Sequence, residues 1–187
     1  ETGMELIRQV YPKFGIVPSV ALSPGYSQIP EVGIALSAKM ANINGAFKGI
    51  ALLDLDTEKA RKYTDCKDVK ESSGFTSEFC YPLWPSFKAG ELILAASSVI
   101  GALLSYVDAS NDDVPSISPS NKIMGITGTC LADGTEIIMD QDQASAVNMY
   151  GVATAFNSNG WRLWGNYTGA FPAVTDAKDM WLPVRRM

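Results

Sequence analysis

Ile50-Ala51-Leu52-Leu53, inside the stretch Phe47 to Leu55, is apolar at every position. A strand with one solvated face alternates apolar and polar residues, so an unbroken run suits a central strand covered on both faces. The flanking sequence supplies covers. Ile16 to Leu22 reads as a short buried strand running into a turn at Ser23-Pro24-Gly25-Tyr26-Ser27. A helix start follows, with Pro30 and Glu31 suited to a first turn. Val32, Leu36, Met40 and Ile43 then recur at helical spacing until Asn44-Gly45 ends the helix.

Asp54 and Asp56 close the central strand, and Thr57 can cap a polar helix over Glu58 to Asp65. Lys67 to Thr76 reads as a hydrophilic connection. Phe79 to Trp84 reads as a third strand, which Pro82 places at an edge or near its end. Glu91 to Ala109 reads as the longest helix, apolar nearly all round, so something must bury it on more than one side. The sheet plus another domain, or a neighbouring subunit, could do so. Pro115 to Lys122 reads as a loop, Ile123 to Leu131 as weakly strand-like, Gly134 to Met139 as a short strand and Gln141 to Met149 as a helix. Gly151 to Phe156 is strand-like and pairs with Trp161 to Trp164 across the turn Asn157 to Gly160. Met180, Leu182 and Val184 alternate with Trp181, Pro183 and Arg185, the period of a strand. The fold class expected is α/β, with a mainly parallel central sheet flanked by helices and a C-terminal β-hairpin region.

The chain has 187 residues, enough for one domain with a real core. It ends on apolar Met187 after a strand-like run rather than on a polar tail, which suggests a piece of a longer protein. Its net charge of −5 does not invite a nucleic-acid backbone, so no nucleic-acid partner is expected. Glu1-Thr2-Gly3 opens no signal peptide, and the apolar stretch Leu92 to Val107 is too short and interrupted to cross a bilayer. No membrane insertion is expected. Cys66, Cys80 and Cys130 are odd in number and lack CxxC spacing, which argues for reduced thiols rather than a disulfide framework or zinc site. Histidine is absent, which excludes Ser-His-Asp and Cys-His nucleophile arrangements.

The remaining chemistry is carboxylate and aromatic. Asp54 and Asp56 stand at a strand end, where α/β sheets place ligand-binding carboxylates. An α/β enzyme with an acidic site there is one reading; helix caps and turns are the other. The pairs Asp112-Asp113 and Asp140/Asp142 are open to the same two readings, and no spacing matches a calcium loop. Gly125-Ile126-Thr127-Gly128 has no phosphate-binding lysine after it. Trp161, Trp164 and Tyr167 could stack a sugar or base, but aromatics of this kind concentrate in cores and interfaces. No catalytic set, cofactor or metal site is expected. An assembly protein fits the excess of apolar surface.

Blocks spread along the chain resemble the contractile tail sheath proteins of bacteriophages. They begin with Tyr11-Pro12-Lys13-Phe14-Gly15-Ile16-Val17-Pro18 and Leu22-Ser23-Pro24-Gly25-Tyr26-Ser27. Ile43-Asn44-Gly45-Ala46-Phe47-Lys48, Leu53-Asp54-Leu55-Asp56-Thr57 and Ser118-Pro119-Ser120-Asn121-Lys122 follow. Asp133-Gly134-Thr135-Glu136 and Asp140-Gln141-Asp142-Gln143-Ala144 come next. Gly160 to Thr168, with its Trp-Gly-Asn-x-Thr core, and Asp179 to Met187, with its Pro-x-Arg-Arg-Met core, complete the series. Tyr167 stands where the family motif usually has arginine.

The resemblance implies that residues 1–187 form the subtilisin-like core domain of a sheath protein. It implies relatedness of fold only, with upstream decorating domains and a C-terminal linking domain outside the chain. It implies a structural, non-enzymatic subunit that forms rings around a tail tube above a baseplate and contracts to drive the tube through the host envelope. A phage-tail bacteriocin or type VI-like injector is a related possibility. The place of action would be the virion tail, after assembly in the host bacterial cytoplasm. Arg185, Arg186, Asp112, Asp113 and Trp164 are the expected subunit-interface residues, since charges set register between repeated subunits. Alone, the chain is expected to be a monomer or weak dimer.

Overall fold

The computed structural model describes residues 3–187. A 3-10 turn over Gly3–Gln9 leads into α1 (Val10–Phe14), and β1 (Val20–Leu22) and α2 (Pro30–Ala41) follow. Then come β2 (Ile50–Asp54), α3 (Cys66–Ser72), β3 (Cys80–Leu83), β4 (Ser86–Ala89), β5 (Leu92–Leu94) and α4 (Ala96–Ala109). The chain closes with β6 (Gly128–Cys130), α5 (Gln141–Met149), β7 (Thr154–Asn157), β8 (Trp161–Trp164), α6 (Ala177–Met180) and α7 (Leu182–Arg186).

β1, β2 and β3 form a parallel sheet in that order, with Ala21 beside Ala51 and Ala51 beside Cys80. All five residues of β2 are buried, as an unbroken apolar run requires. Its side chains divide between two cores. Ala51 and Leu53 join Leu36, Met40, Val69, Trp84 and Val147 on one face, under α2, α3 and α5. Ile50 and Leu52 join Tyr81, Ile100, Leu103, Leu104 and Leu163 on the other, under α4 and β8. The architecture is α/β, a parallel centre with helices on both faces.

β3 meets, on its outer side, a single parallel bridge from Leu83 to Ala153, the residue just before β7. The Ala153 amide donates to the Pro82 carbonyl at 2.9 Å, and the Trp84 amide donates to the Ala153 carbonyl at 3.0 Å. Pro82 therefore sits where the missing donor would face only this last, partial partner. β7 and β8 form the antiparallel hairpin read from the sequence, with Ala155 opposite Leu163.

Several boundaries differ. Only Val20–Leu22 of the first expected strand is extended, and among the described residues it is a half-buried sheet edge with no strand beyond it. The polar helix expected over Glu58 to Asp65 is a turn and a 3-10 segment, Tyr63–Asp65. Asp56 takes the Glu58 amide, and Asp65 takes the Arg61 and Lys62 amides, which holds the backbone in turns. The helix forms instead at Cys66–Ser72, within the expected connection, where Cys66 and Val69 reach the core three residues apart.

The expected long helix is two elements. Gly90 adopts a left-handed φ of 61° and turns the chain back, so Leu92–Leu94 pairs antiparallel with β4. The helix proper, α4, buries Ile100, Leu103, Leu104 and Val107 and leaves Ser105 and Tyr106 in solvent. It is covered on one side rather than several. β4 also pairs with β6, giving an antiparallel sheet beside the parallel one. Gly134 to Met139 makes one bridge, Glu136 to Cys130, and no strand of its own. The alternation at Met180 to Val184 is not a strand but α6 and α7 separated by Trp181. Asp176 caps the first through the Lys178 amide, and Pro183 sits in the first turn of the second.

Candidate functional site

At the carboxyl end of the parallel sheet, a cleft of about 640 Å³ opens between the turn before α2, the end of β2 and the start of α4. Asp54 and Asp56 both line it, as the strand-end reading expects. Their lone pairs are in use. Asp54 Oδ2 accepts from the Ser27 hydroxyl at 2.7 Å and the Ser97 hydroxyl at 2.6 Å, and Oδ1 accepts from the Ser97 amide at 2.8 Å. Ser27 Oγ in turn accepts the Asp54 amide at 3.1 Å. α4 has no side-chain cap of its own, so Asp54 caps it from β2, negative charge against the positive end of the helix. Asp56 caps the turn at Glu58 and pairs with Lys59 at 3.2 Å. Two serine hydroxyls on one carboxylate can join a strand, a turn and a helix. With its lone pairs engaged in this way, Asp54 knits the end of the sheet.

The other candidates lie around the last helix. Arg186, on α7, is not a surface residue: its side chain is 1% exposed and pairs with Asp108 near the end of α4. Arg185 lies with its guanidinium 4.3 Å from the centre of the Phe79 ring and 3.8 Å from Asp179. Both arginines read as register charges are thus engaged within the chain. Asp112 and Asp113 follow α4 in left-handed turns, with φ of 54° and 62°, exposed just beyond the Asp108 pair. The structure therefore brings Arg186 and this acidic loop to the same end of α4. Trp164 is elsewhere: half-buried on β8, edge-on to Phe156 and donating to the Ser145 hydroxyl at 3.2 Å. Tyr167 stacks on Phe171 at 3.9 Å between ring centres and leans on Trp181. The tryptophan-tyrosine set is divided between two packing sites.

Four residues that were not among the sequence candidates tie this region down. Lys70 is buried, and its ammonium donates to the Tyr150 carbonyl at 2.9 Å and the Phe171 carbonyl at 2.5 Å. Burial lowers its pKa to about 8. Gly151, at φ 72°, has no room for a Cβ against that ammonium and the Phe171 carbonyl. Thr168 donates its hydroxyl to the Asp179 carbonyl at 2.5 Å and its amide to the Met180 carbonyl at 2.8 Å. Asp108 supplies the counter-charge for Arg186. A lone lysine in a polar helix carries no signal for burial; the two carbonyls that hold it come from distant chain. Cys66, Cys80 and Cys130 are buried free thiols, and burial pushes Cys80 up to about 12.

The whole chain, rather than a pocket, is matched among known proteins. It is 26% identical over 189 aligned residues to a tail sheath protein of Burkholderia phage BcepMu, covering 95% of this chain and 39% of that one. It is 28% identical over 178 residues to a putative prophage major tail sheath protein of Pseudomonas aeruginosa, covering 89% of this chain and 42% of that one. The chain is tail sheath-like. No protein-family model matches it. The sheath-like chain also shares its fold with a chain of the anti-feeding prophage baseplate, at a TM-score of 0.66 and 17% identity, covering 98% of this chain and 45% of that one. It spans about two fifths of the length of the curated relatives it matches. Among the described residues no helix is long and apolar enough to cross a membrane, and no cluster of metal-ligating side chains is present.

Proposed function

We propose that this sheath-like chain is the core of a structural subunit of a contractile tail sheath. In this reading, copies polymerise as rings around a tail tube above a baseplate, and contraction drives the tube through the host envelope. The observation that carries the reading is similarity to two tail sheath proteins over nearly the whole chain. The fold shared with a baseplate chain of an injection particle supports it and also favours the broader class of phage-like injectors. A sheath subunit works through packing that has two stable arrangements rather than through a reaction. The Asp54 cluster fits that role, since its carboxylate is committed to joining structural elements. The chain acts in the virion tail and assembles in the bacterial cytoplasm.

Arg185, Arg186, Asp112, Asp113 and Trp164 remain proposed interface residues, with a changed emphasis. Asp112 and Asp113 are the ones a neighbour can reach directly. Arg186 would act through Asp108 by fixing α4 beneath them. The test is to produce the full-length gene product with the tube protein encoded beside it and examine it by electron microscopy. Rings or sheath tubes are expected; dispersed particles alone, with the sheath-like protein folded and filaments of the tube protein present, would overturn the reading.

A further inference from the structure

The cleft at the carboxyl end of the sheet is more than the Asp54 cluster. Ile29 and Ile93 stand on its walls, 42% and 43% exposed, with Pro30, Ala95 and Ala132 beside them. Its rim is acidic. Asp56 is paired with Lys59, but the Glu58 carboxylate has no cation or hydrogen-bond donor among the described residues. A cleft of mixed lining with two isoleucines on its walls and an unpaired acid at its lip fits a group that is apolar and cationic together.

That combination stands at the opposite end of the molecule. Phe14 is 70% exposed at the last position of α1, next to Lys13, whose ammonium has no partner among the described residues. Gly15, at φ 68°, ends the helix there and turns the chain away, which leaves the corner prominent. Tyr11 packs on Phe47, three residues before β2 begins, with ring centres 4.7 Å apart. Glu5 pairs with Lys39, in the last turn of α2. The corner is therefore fixed at the amino end of the sheet. The cleft lies at the first turn of α2, about 18 Å away along that helix. The Lys13-Phe14 corner of one copy cannot reach that copy's own cleft, but it can reach the cleft of a second copy. Unlike surfaces that meet in this way make head-to-tail contacts, which close into rings or extend without limit.

The geometry points to a contact in which the Lys13-Phe14 corner of one copy enters the cleft of the next, with the ring between Ile29 and Ile93 and the ammonium at Glu58. The inference rests on the sheath reading only for the choice of a second copy as the occupant. Cysteine cross-linking tests it directly, because the three native thiols are buried and do not compete. Phe14→Cys and Ile93→Cys are made as separate proteins, since both positions are exposed enough to spare the fold. On mild oxidation the mixture is expected to yield a disulfide heterodimer, while each variant alone yields at least tenfold less. Equal cross-linking of either variant alone, or none in the mixture at the highest soluble concentration, overturns the proposal.

Association measured by sedimentation adds a second readout. Phe14→Ala is expected to weaken it by about ten- to a hundredfold, the loss of one buried aromatic. Lys13→Glu is expected to weaken it about two- to fivefold, with the loss restored in the Lys13→Glu/Glu58→Lys double variant. Sheath tubes that form normally from a full-length Phe14→Ala protein would sink this contact and leave the sheath reading intact. Absence of tubes from the wild type would sink the sheath reading and leave the cross-link result to stand by itself.

Discussion

The central strand and the last helix of this chain both bury side chains, and they are held by opposite means. β2 is buried at all five positions and carries Ile50, Ala51, Leu52 and Leu53 into two apolar cores. α7 buries Leu182 and Arg186, and the second of these brings a charge inside with Asp108 as its counter-ion. Apolar burial tolerates imprecision: a methyl group can shift and still exclude water. A buried ion pair does not, because each charge is costly without the other. The sheet is therefore the forgiving part of the molecule, and the region around Arg186, Thr168 and Lys70 is where a single atom out of place is felt.

The sharpest way to break this comparison is Arg186→Met. It leaves Asp108 uncompensated and is expected to cost about 3–5 kcal/mol in urea unfolding. The double variant Arg186→Met/Asp108→Leu is expected to recover most of that loss, since an apolar pair replaces the ion pair; no recovery would mean that shape, not charge, holds α7. Leu52→Ala, in the forgiving region, is expected to cost about 2–5 kcal/mol by the same measurement, with no second change able to rescue it so simply.

Lys70 gives a smaller effect with a definite sign. Folding holds it at about 8, below its ordinary 10.5, so between those values the unfolded chain binds more protons and stability rises with pH. Cys80 acts oppositely, because burial holds it at about 12 against an ordinary 9.0, and stability falls above pH 9 as the unfolded thiol ionises. Lys70 contributes a rise from pH 8 to 9 of no more than about 1.4 kcal/mol against the opposing fall from Cys66, Cys80 and Cys130, and Lys70→Met should lose that rise relative to the wild type. A rise of equal slope in the variant would remove Lys70 as its source. Thr168→Val should cost about 1 kcal/mol through its lost hydroxyl bond to the Asp179 carbonyl. Asp112→Asn/Asp113→Asn should change stability by less than about 0.5 kcal/mol, since asparagine also accepts the left-handed turn. A large loss there would mean the loop is part of the core.

What could be read from the residues divides along the same line. The apolar run in β2 demands cover on both faces, and the structure supplies it. Gln141–Met149 was legible because Asp140 and Gln143 cap each other's amides within four residues. The β7–β8 hairpin was legible because its turn is local. The missed elements are short, or run without a break into a neighbour of another kind. β4 and β5 are short, and the apolar sequence of β5 runs on into α4 with only Ala95 between them. Two short helices meeting at Trp181 imitate the period of a strand. Of the candidate site residues, Asp54 and Asp56 were found at the expected strand end. The inward turn of Arg186 onto Asp108 was not legible, because that partner lies 78 residues away. Lys70 was missed because its carbonyl partners lie 80 and 101 residues away.

The Asp54 carboxylate has a mechanical consequence. It grips Ser27 ahead of α2 and Ser97 at the head of α4, and those helices lie on opposite faces of the sheet. A shearing load applied to one layer is passed through a single hinge pin to the other two. A tie of this kind favours joint motion of the three layers over sliding of one past another.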